Sequence, residues 1–373
     1  MFALLILSGA MLCGCSSGSS DSGTTPPPTQ TATATPTIAV TSAQNAAVIV
    51  TLADTTSGAK IYYTLDGSTP TTSSQIYQAP FLVASNLTVK AIAAARGDAN
   101  SSVASQSFSA NIASGTLVWS DEFSNSGSTP AQPNASTWTY DVGTNCCGNN
   151  ELETYCAWGS TTAPCASGNP NAYVGTDGYL HIVAQNPSSK VYTSARLKSQ
   201  GMFSFMYGRI EARIKVPESQ GMWPAFWLLG NNIATVNWPT CGETDIMEHI
   251  DGSNPPPAAG EPPYGSDWIA GSLHGVDYNT GMKWSPKDFS AADWHIYGAI
   301  WTKGQIQFYV DDPANVYATY TPQSVIGGIW AFDQGPQFII LNLAVGGTWP
   351  GNPDSTTVFP GDMTVDYVRI YTN

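Results

Sequence analysis

From residue 38 to the C terminus the apolar residues come in short runs, alternating with polar ones and interrupted by Gly, Pro, Asn and Asp. That period and that punctuation predict strands joined by tight turns, not long amphipathic helices. Within 38–110 the runs 47–52, 60–64 and 87–93 are separated by Asp66-Gly67 and Thr69-Pro70, a spacing that suggests a small β-sandwich. Residues 111–115 read as a linker. From 116 to 373 strand-like runs with regular turns resume, with no evident internal repeat. The expected architecture is all-β, with a small immunoglobulin-like sandwich in front of a larger β-sandwich.

The first 37 residues break this pattern. Residues 2–12 are an apolar run too short to span a bilayer and read as the core of an export signal. The ending Leu12-Cys13-Gly14-Cys15 resembles a bacterial lipobox, which implies cleavage before Cys15 and acylation of its thiol. The chain is then expected to be lipid-anchored at the outer membrane or cell surface, with plain secretion as the alternative. Residues 16–37 are Ser, Thr and Pro in low-complexity order, including Pro26-Pro27-Pro28. They lack the apolar residues that offset chain entropy, so a disordered tether is expected.

Composition narrows the partners. A formal net charge of −14 leaves little to neutralise phosphates, which argues against nucleic acid or an anionic membrane surface. Neutral polysaccharide remains compatible, and the chain is expected to act as a monomer. Beyond the signal lie Cys146, Cys147, Cys156, Cys165 and Cys241. In an exported protein most should pair, and the odd number leaves one free or joined between chains. The first four crowd into one segment that reads as a stapled loop, at spacings unlike the standard zinc patterns.

The chemistry concentrates in Gly242-Glu243-Thr244-Asp245-Ile246-Met247-Glu248-His249. In a regular strand Glu243 and Asp245 share a face while Glu248, five positions on, points away. A β-bulge near Ile246-Met247 would restore the phase and bring all three acids to one face. Glu243 and Glu248 would then stand roughly 13 Å apart between Cα atoms, at ~3.3 Å per residue. Long side chains leaning inward approach the carboxyl separation of about 5 Å that retaining glycosidases need. Asp245, between them, would share protons and orient Glu243 through a hydrogen bond. The alternatives for the same acids are a solvent-exposed acidic strand or a hard-cation site. Nearby, Gly221-Met222-Trp223-Pro224-Ala225-Phe226-Trp227-Leu228 offers aromatic faces of the kind on which pyranose rings stack. Trp223 is the expected platform, and Trp227 either shares its face or belongs to the core.

Glu243-x-Asp245-x-x-Glu248, with the preceding Trp-Pro-Ala-Phe-Trp-Leu, resembles the bulged signature of glycoside hydrolase family 16. Ordered matches include Asp121-Glu122-Phe123, the 149–155 segment Asn-Asn-Glu-Leu-Glu-Thr-Tyr, Tyr207-Gly208-Arg209, the 342–351 segment ending Gly-Gly-Thr-Trp-Pro-Gly, and Val365-Asp366-Tyr367. The resemblance implies a curved jelly-roll with an open cleft on its concave face, with Glu243 as nucleophile, Glu248 as acid/base and Asp245 as their assistant. It also implies substrate contacts from Trp223, His274, Asn149 and Glu151, and β-glucan as substrate, with laminarinase-like β-1,3 cleavage foremost. A galactanase, a transglycosylase or a non-catalytic glucan-binding protein are the alternatives. Catalysis would need no cofactor. A structural calcium is implied on the convex face at Asp366 with backbone oxygens near Glu122 and Gly178, the other reading being that Asp366 caps a turn. Thr244 stands where an aliphatic residue is usual. The stretch from Ile61-Tyr62-Tyr63 through Thr88-Val89-Lys90 to Ala93 is similar to the chitobiase C-terminal-type immunoglobulin-like module, which usually serves as a spacer.

Overall fold

The computed structural model describes residues 30–144, 148–251, 268–286 and 289–373. Alternating β-branched and aromatic runs of the larger segment form two antiparallel-dominated sheets packed face to face, as the alternation requires. One sheet has seven strands in the order Tyr278–Trp284, Ile269–Gly275, Glu243–Glu248, Met222–Gly230, Gln337–Val345, Arg196–Lys198 and Thr139–Asp141. It is called the cleft sheet below. The back sheet has ten, built around Leu180–Ser188, Gly361–Tyr371, Gly208–Lys215, His295–Thr302 and Gln305–Val310. Phe226, Leu228, Ile246, Met247, Ile339 and Leu341 from the first sheet meet Tyr297, Trp301, Phe308, Val365 and Val368 from the second in one continuous core. The central strand Gln337–Val345 is buried at every position, because its other face carries Phe338 and Ile340 beneath the cleft floor. Among the described residues the helical elements are one turn at Ile233–Val236 and a 3-10 turn at Pro322–Ser324.

The smaller segment is a sandwich of a three-stranded and a four-stranded sheet, closed over Val50, Leu52, Ile61, Tyr63, Phe81, Val83, Val89 and Ala91. It is docked onto the larger body and does not hang from it as a free spacer. Pro80 to Leu82 lie alongside Ser204 through two backbone hydrogen bonds of 2.9 Å, Leu82 N to Ser204 O and Ser204 N to Pro80 O. The Asn45 side-chain amide donates to Leu117 O at 2.7 Å, and Ala47 and Leu82 are part of the large domain's core. Burying a side chain such as Leu82 contributes about 1.5–3 kcal/mol, so the contact fixes the module's place. The linker is held too, since Gly115 N bonds to Thr372 O at 3.0 Å. The described end of the stretch expected to be a tether is held instead: Ala99 N donates to Thr31 O at 2.8 Å and Thr33 is buried against the module.

Cys156 and Cys165 form a disulfide and Cys241 is free and buried. Cys146 and Cys147, like the expected signal, the expected lipobox cysteine Cys15 and most of the expected tether, lie outside the described residues.

Candidate active site

The register of the acidic strand follows the bulge that its sequence requires. Against Met222–Gly230, Trp227 faces Asp245 and Phe226 faces Met247, so Ile246 has no partner there. On the other side Asp245 faces Ser272 and Glu248 faces Ala270, which sets Ile246 and Met247 together against Gly271. Both apolar residues turn into the core. Gly271, opposite them, has no room for a side chain of its own, since an added Cβ would come within 2.4 Å of the Tyr317 hydroxyl. The extra residue restores the phase, and Glu243, Asp245 and Glu248 all face a cleft of about 1330 Å³.

These acids sit in a poorly hydrated floor with few counter-charges. Burial is the largest cause that raises each of them, and each is pushed up to about 8, with Asp245's charge the next contribution for Glu243 and Glu248. Desolvation penalises the charged form, and like charges add to it. Trp238 Nε1 donates to Glu243 Oε2 at 2.9 Å. Trp223 Nε1 donates to Glu248 Oε1 at 3.0 Å, and the Ser272 hydroxyl to Oε2 at 3.3 Å. His274 Nε2 lies 2.9 Å from Asp245 Oδ2 and 3.8 Å from Glu243 Oε1. The first contact has the distance of an ion pair without the alignment of a hydrogen bond, and leaves Asp245 Oδ2 buried without a donor. The expected bond from Asp245 to Glu243 is therefore replaced by an imidazole standing between the two. Protons in such a cluster belong to the group as a whole.

Glu243, Asp245 and His274 bring donor atoms within 4.8 Å of one another, so the hard-cation alternative has a geometric basis. The chemistry of the set weighs against it, because burial favours the protonated form of both carboxyls and a hard cation would have to displace those protons to bind them.

The aromatic walls divide the remaining expectations. Trp223 lines the cleft and meets Trp349 edge to face at 5.4 Å. Trp227 is 8 % exposed, its ring covered by the Arg196 guanidinium at 4.5 Å and its Nε1 donating to Asn342 at 2.8 Å. It is floor under other cleft groups and not a free stacking face. Asn149 and Glu151 line the same cleft and bond each other at 3.2 Å. Tyr155 links Glu151 (3.1 Å) to Asn342 (3.3 Å), so one network runs from Asn149 to Trp227. Glu153 lies fully buried behind it, raised by burial and by Glu151, and accepts the Val345 N–H at 2.7 Å. The residue missed from sequence is Trp238, which is 56 % exposed yet bonded to Glu243. Its signal was its place, a Trp-Pro step just before Glu243 on a turn instead of a strand.

The proposed calcium ligands come together along the interior strand Gly361–Tyr371 of the back sheet, where Val365 faces Leu180 and Val368 faces Asp121. Asp366 Oδ2, however, accepts from Arg213 at 2.7 Å, and Glu122 is clamped by Arg369 at 2.8 and 2.9 Å. Asp366 Oδ1 and backbone carbonyls remain as donors beside a guanidinium, a set that fits a divalent ion only weakly.

An open cleft floored by buried carboxylic acids and walled by indoles is the site of a carbohydrate-cleaving hydrolase. The comparisons agree: the model described as glycosyl hydrolases family 16 matches residues 160–369, and the chain belongs to that family. A beta-glucanase of Rhodothermus marinus is 38 % identical over 270 residues, spanning 68 % of this chain and 84 % of the relative. Glucan endo-1,3-beta-glucosidase A1 of Niallia circulans is 32 % identical over 279 residues, spanning 70 % of this chain and 38 % of the relative. The laminarinase catalytic domain of Thermotoga maritima superposes with a TM-score of 0.58 at 34 % identity, covering 70 % of this chain and 99 % of that one. The protein is a glycoside hydrolase of the β-glucan-cleaving kind. A separate model, described as Fn3 associated, matches residues 50–108 and so covers most of the module.

Proposed function

We propose that the chain cleaves internal β-1,3-glucosidic bonds of laminarin-type glucan with retention of configuration. The observation that carries this reading is the bulge, which turns Glu243 and Glu248 to one face around Asp245 and gives them different partners. Glu243, whose charged form is favoured by His274 and by the Trp238 N–H, attacks the anomeric carbon as its carboxylate. Glu248, kept protonated by burial and held by Trp223 and Ser272, gives its proton to the leaving oxygen. A water deprotonated by Glu248 then attacks the glycosyl-enzyme, releasing the sugar and Glu243. Asp245 shares the protons of the cluster as Glu243 is consumed and returned. Trp223 supplies the face for a pyranose ring. The linkage is favoured by relatives that are a glucan endo-1,3-beta-glucosidase and a laminarinase.

The test is reducing-sugar release by the full chain from laminarin, mixed-linkage glucan, agarose and carrageenan, with anomeric NMR of the first product. Laminarin cleavage that yields the β-anomer first and vanishes in Glu243→Gln supports the reading. Cleavage of a galactan alone overturns the substrate, and an α-anomer overturns the mechanism. The export reading belongs to the same proposal: Cys15 carries the lipid, and Cys15→Ala should release the protein from membranes.

A further inference from the structure

Behind the acidic strand, on the face turned away from substrate, the core holds a polar pair where apolar residues would pack more simply. Thr244 is 1 % exposed and Gln337 is 2 % exposed, between core neighbours such as Leu228 and Ile339. A buried amide is costly unless its bonds are made. Here they are made to one place. Gln337 Oε1 accepts from the Thr244 hydroxyl at 3.2 Å, and its Nε2 donates to Gly242 O at 3.4 Å. Gly242 and Thr244 are the two residues that flank Glu243.

The register explains the reach. Gln337 faces Gly230, and Gly230 N donates to Gly242 O at 3.0 Å, so the three positions form one rung. Gly230 has no side chain, and a Cβ there would lie 2.0 Å from Cys241 O. The Gln337 amide therefore crosses the intervening strand to the acidic one. Gly242 itself has φ +77°, with Ala331 Cβ 2.8 Å from where its Cβ would stand, so the chain enters Glu243 through a conformation that glycine adopts freely. That left-handed entry needs holding. Gln337 is in turn anchored through reciprocal backbone bonds with Phe205 of 3.1 and 2.9 Å.

We propose that Gln337, acting through Gly242 and Thr244, is the positioning residue that fixes the backbone on both sides of Glu243 and so sets where its carboxyl stands. This rests on Glu243 being the nucleophile. Small misplacements of reacting groups are expensive, about a hundredfold for 1 Å. A side chain that never touches substrate thus governs turnover and not substrate affinity.

The test uses the full chain on laminarin, with four variants: Gln337→Leu, Thr244→Val, the two combined, and Glu243→Gln. The single variants should lower kcat about five- to fiftyfold with KM within about twofold. Thr244→Val, which keeps the volume, guards against Gln337→Leu failing to fold. In the double variant no buried donor or acceptor of the pair is left unmatched, so the melting temperature should recover toward wild type while kcat stays low. Recovery of both, or single variants that melt earlier but turn over at the wild-type rate, would show a packing role and overturn the inference. Glu243→Gln separates the two levels: if it retains wild-type turnover, the assignment of the nucleophile fails first, and if it is inactive while Gln337→Leu is unimpaired, only the positioning role fails.

Discussion

The back sheet holds Glu211, Asp366 and Glu122 against Arg209, Arg213 and Arg369, whereas the cleft sheet holds Glu243, Asp245 and Glu248 against one imidazole, two indole N–H groups and a hydroxyl. Both sets come from strands of similar pattern in one molecule. Glu122 is held below the usual carboxylate range, chiefly by its bonds from Arg369, while burial pushes the cleft acids up to about 8. A guanidinium keeps a carboxylate charged and binds it into the fold. Without one, a buried carboxyl stays near the point where it can give or take a proton at neutral pH. What separates structure from chemistry here is the counter-charge, not the acid.

Glu243→Gln should reduce turnover by about a thousandfold or more and Glu248→Gln by about 10²–10⁴, measured as reducing-sugar release, and neither should unfold the chain. Glu211→Gln on the back sheet should leave kcat within about twofold. If Glu211→Gln silenced the enzyme, the division between the sheets would collapse.

Stability should respond the other way round. Glu211 is 5 % exposed and bonded to Arg209 and to the Tyr309 hydroxyl. Arg209→Met strands that carboxylate and should cost about 2–4 kcal/mol, seen as an earlier denaturant midpoint with kcat unchanged in the folded protein. For the cleft acids the sign comes from their raised values. A carboxyl moved from 4.5 to about 8 by folding, as at Glu248, favours the folded state while protonated. That contribution is complete below the unfolded value and is lost as pH climbs toward about 8. Glu248→Gln stays neutral throughout, so between pH 5 and 9 it should lose about 1–3 kcal/mol less stability than wild type. Parallel melting curves for the two proteins across that range would sink the electrostatic account.

Much of this was legible in the sequence, for reasons that show where legibility stops. The period-2 runs gave the two sandwiches, and the phase error between Asp245 and Glu248 demanded a bulge, because strand geometry is local. Trp223, His274, Asn149 and Glu151 were placed in the cleft by resemblance. The part of Trp227 was left open because one indole serves equally as wall or floor, and only the position of Arg196 decides. Trp238 escaped because it sits on a turn, where no face can be assigned from spacing. The docking of the module through Pro80 to Leu82 and Ser204 depends on residues more than a hundred positions apart, and nothing local announces it. Nor is anything local about Gln337 reaching Thr244, 93 positions away, or Arg213 claiming Asp366, 153 away.

That last pair gives the smallest effect and the finest edge of the comparison. If Asp366 belongs with the arginine-paired acids, a calcium ion near Glu122 and Gly178 competes with Arg213 for one carboxylate. At free calcium ten times the dissociation constant a single site adds about 1.4 kcal/mol, or about 2 °C in a chain of this size, so chelation should lower the melting temperature of the wild type by no more than that. Arg213→Met removes the competitor, leaves Asp366 half-exposed and unpaired, and should enlarge the calcium response while costing stability in its absence. A fall of more than about 10 °C on adding a chelator to the wild type would mean that the carbonyls and Asp366 Oδ1 make a strong site despite the guanidinium. Asp366 would then owe its charge to a metal and not to arginine, and the back sheet would hold its acids by two devices instead of one.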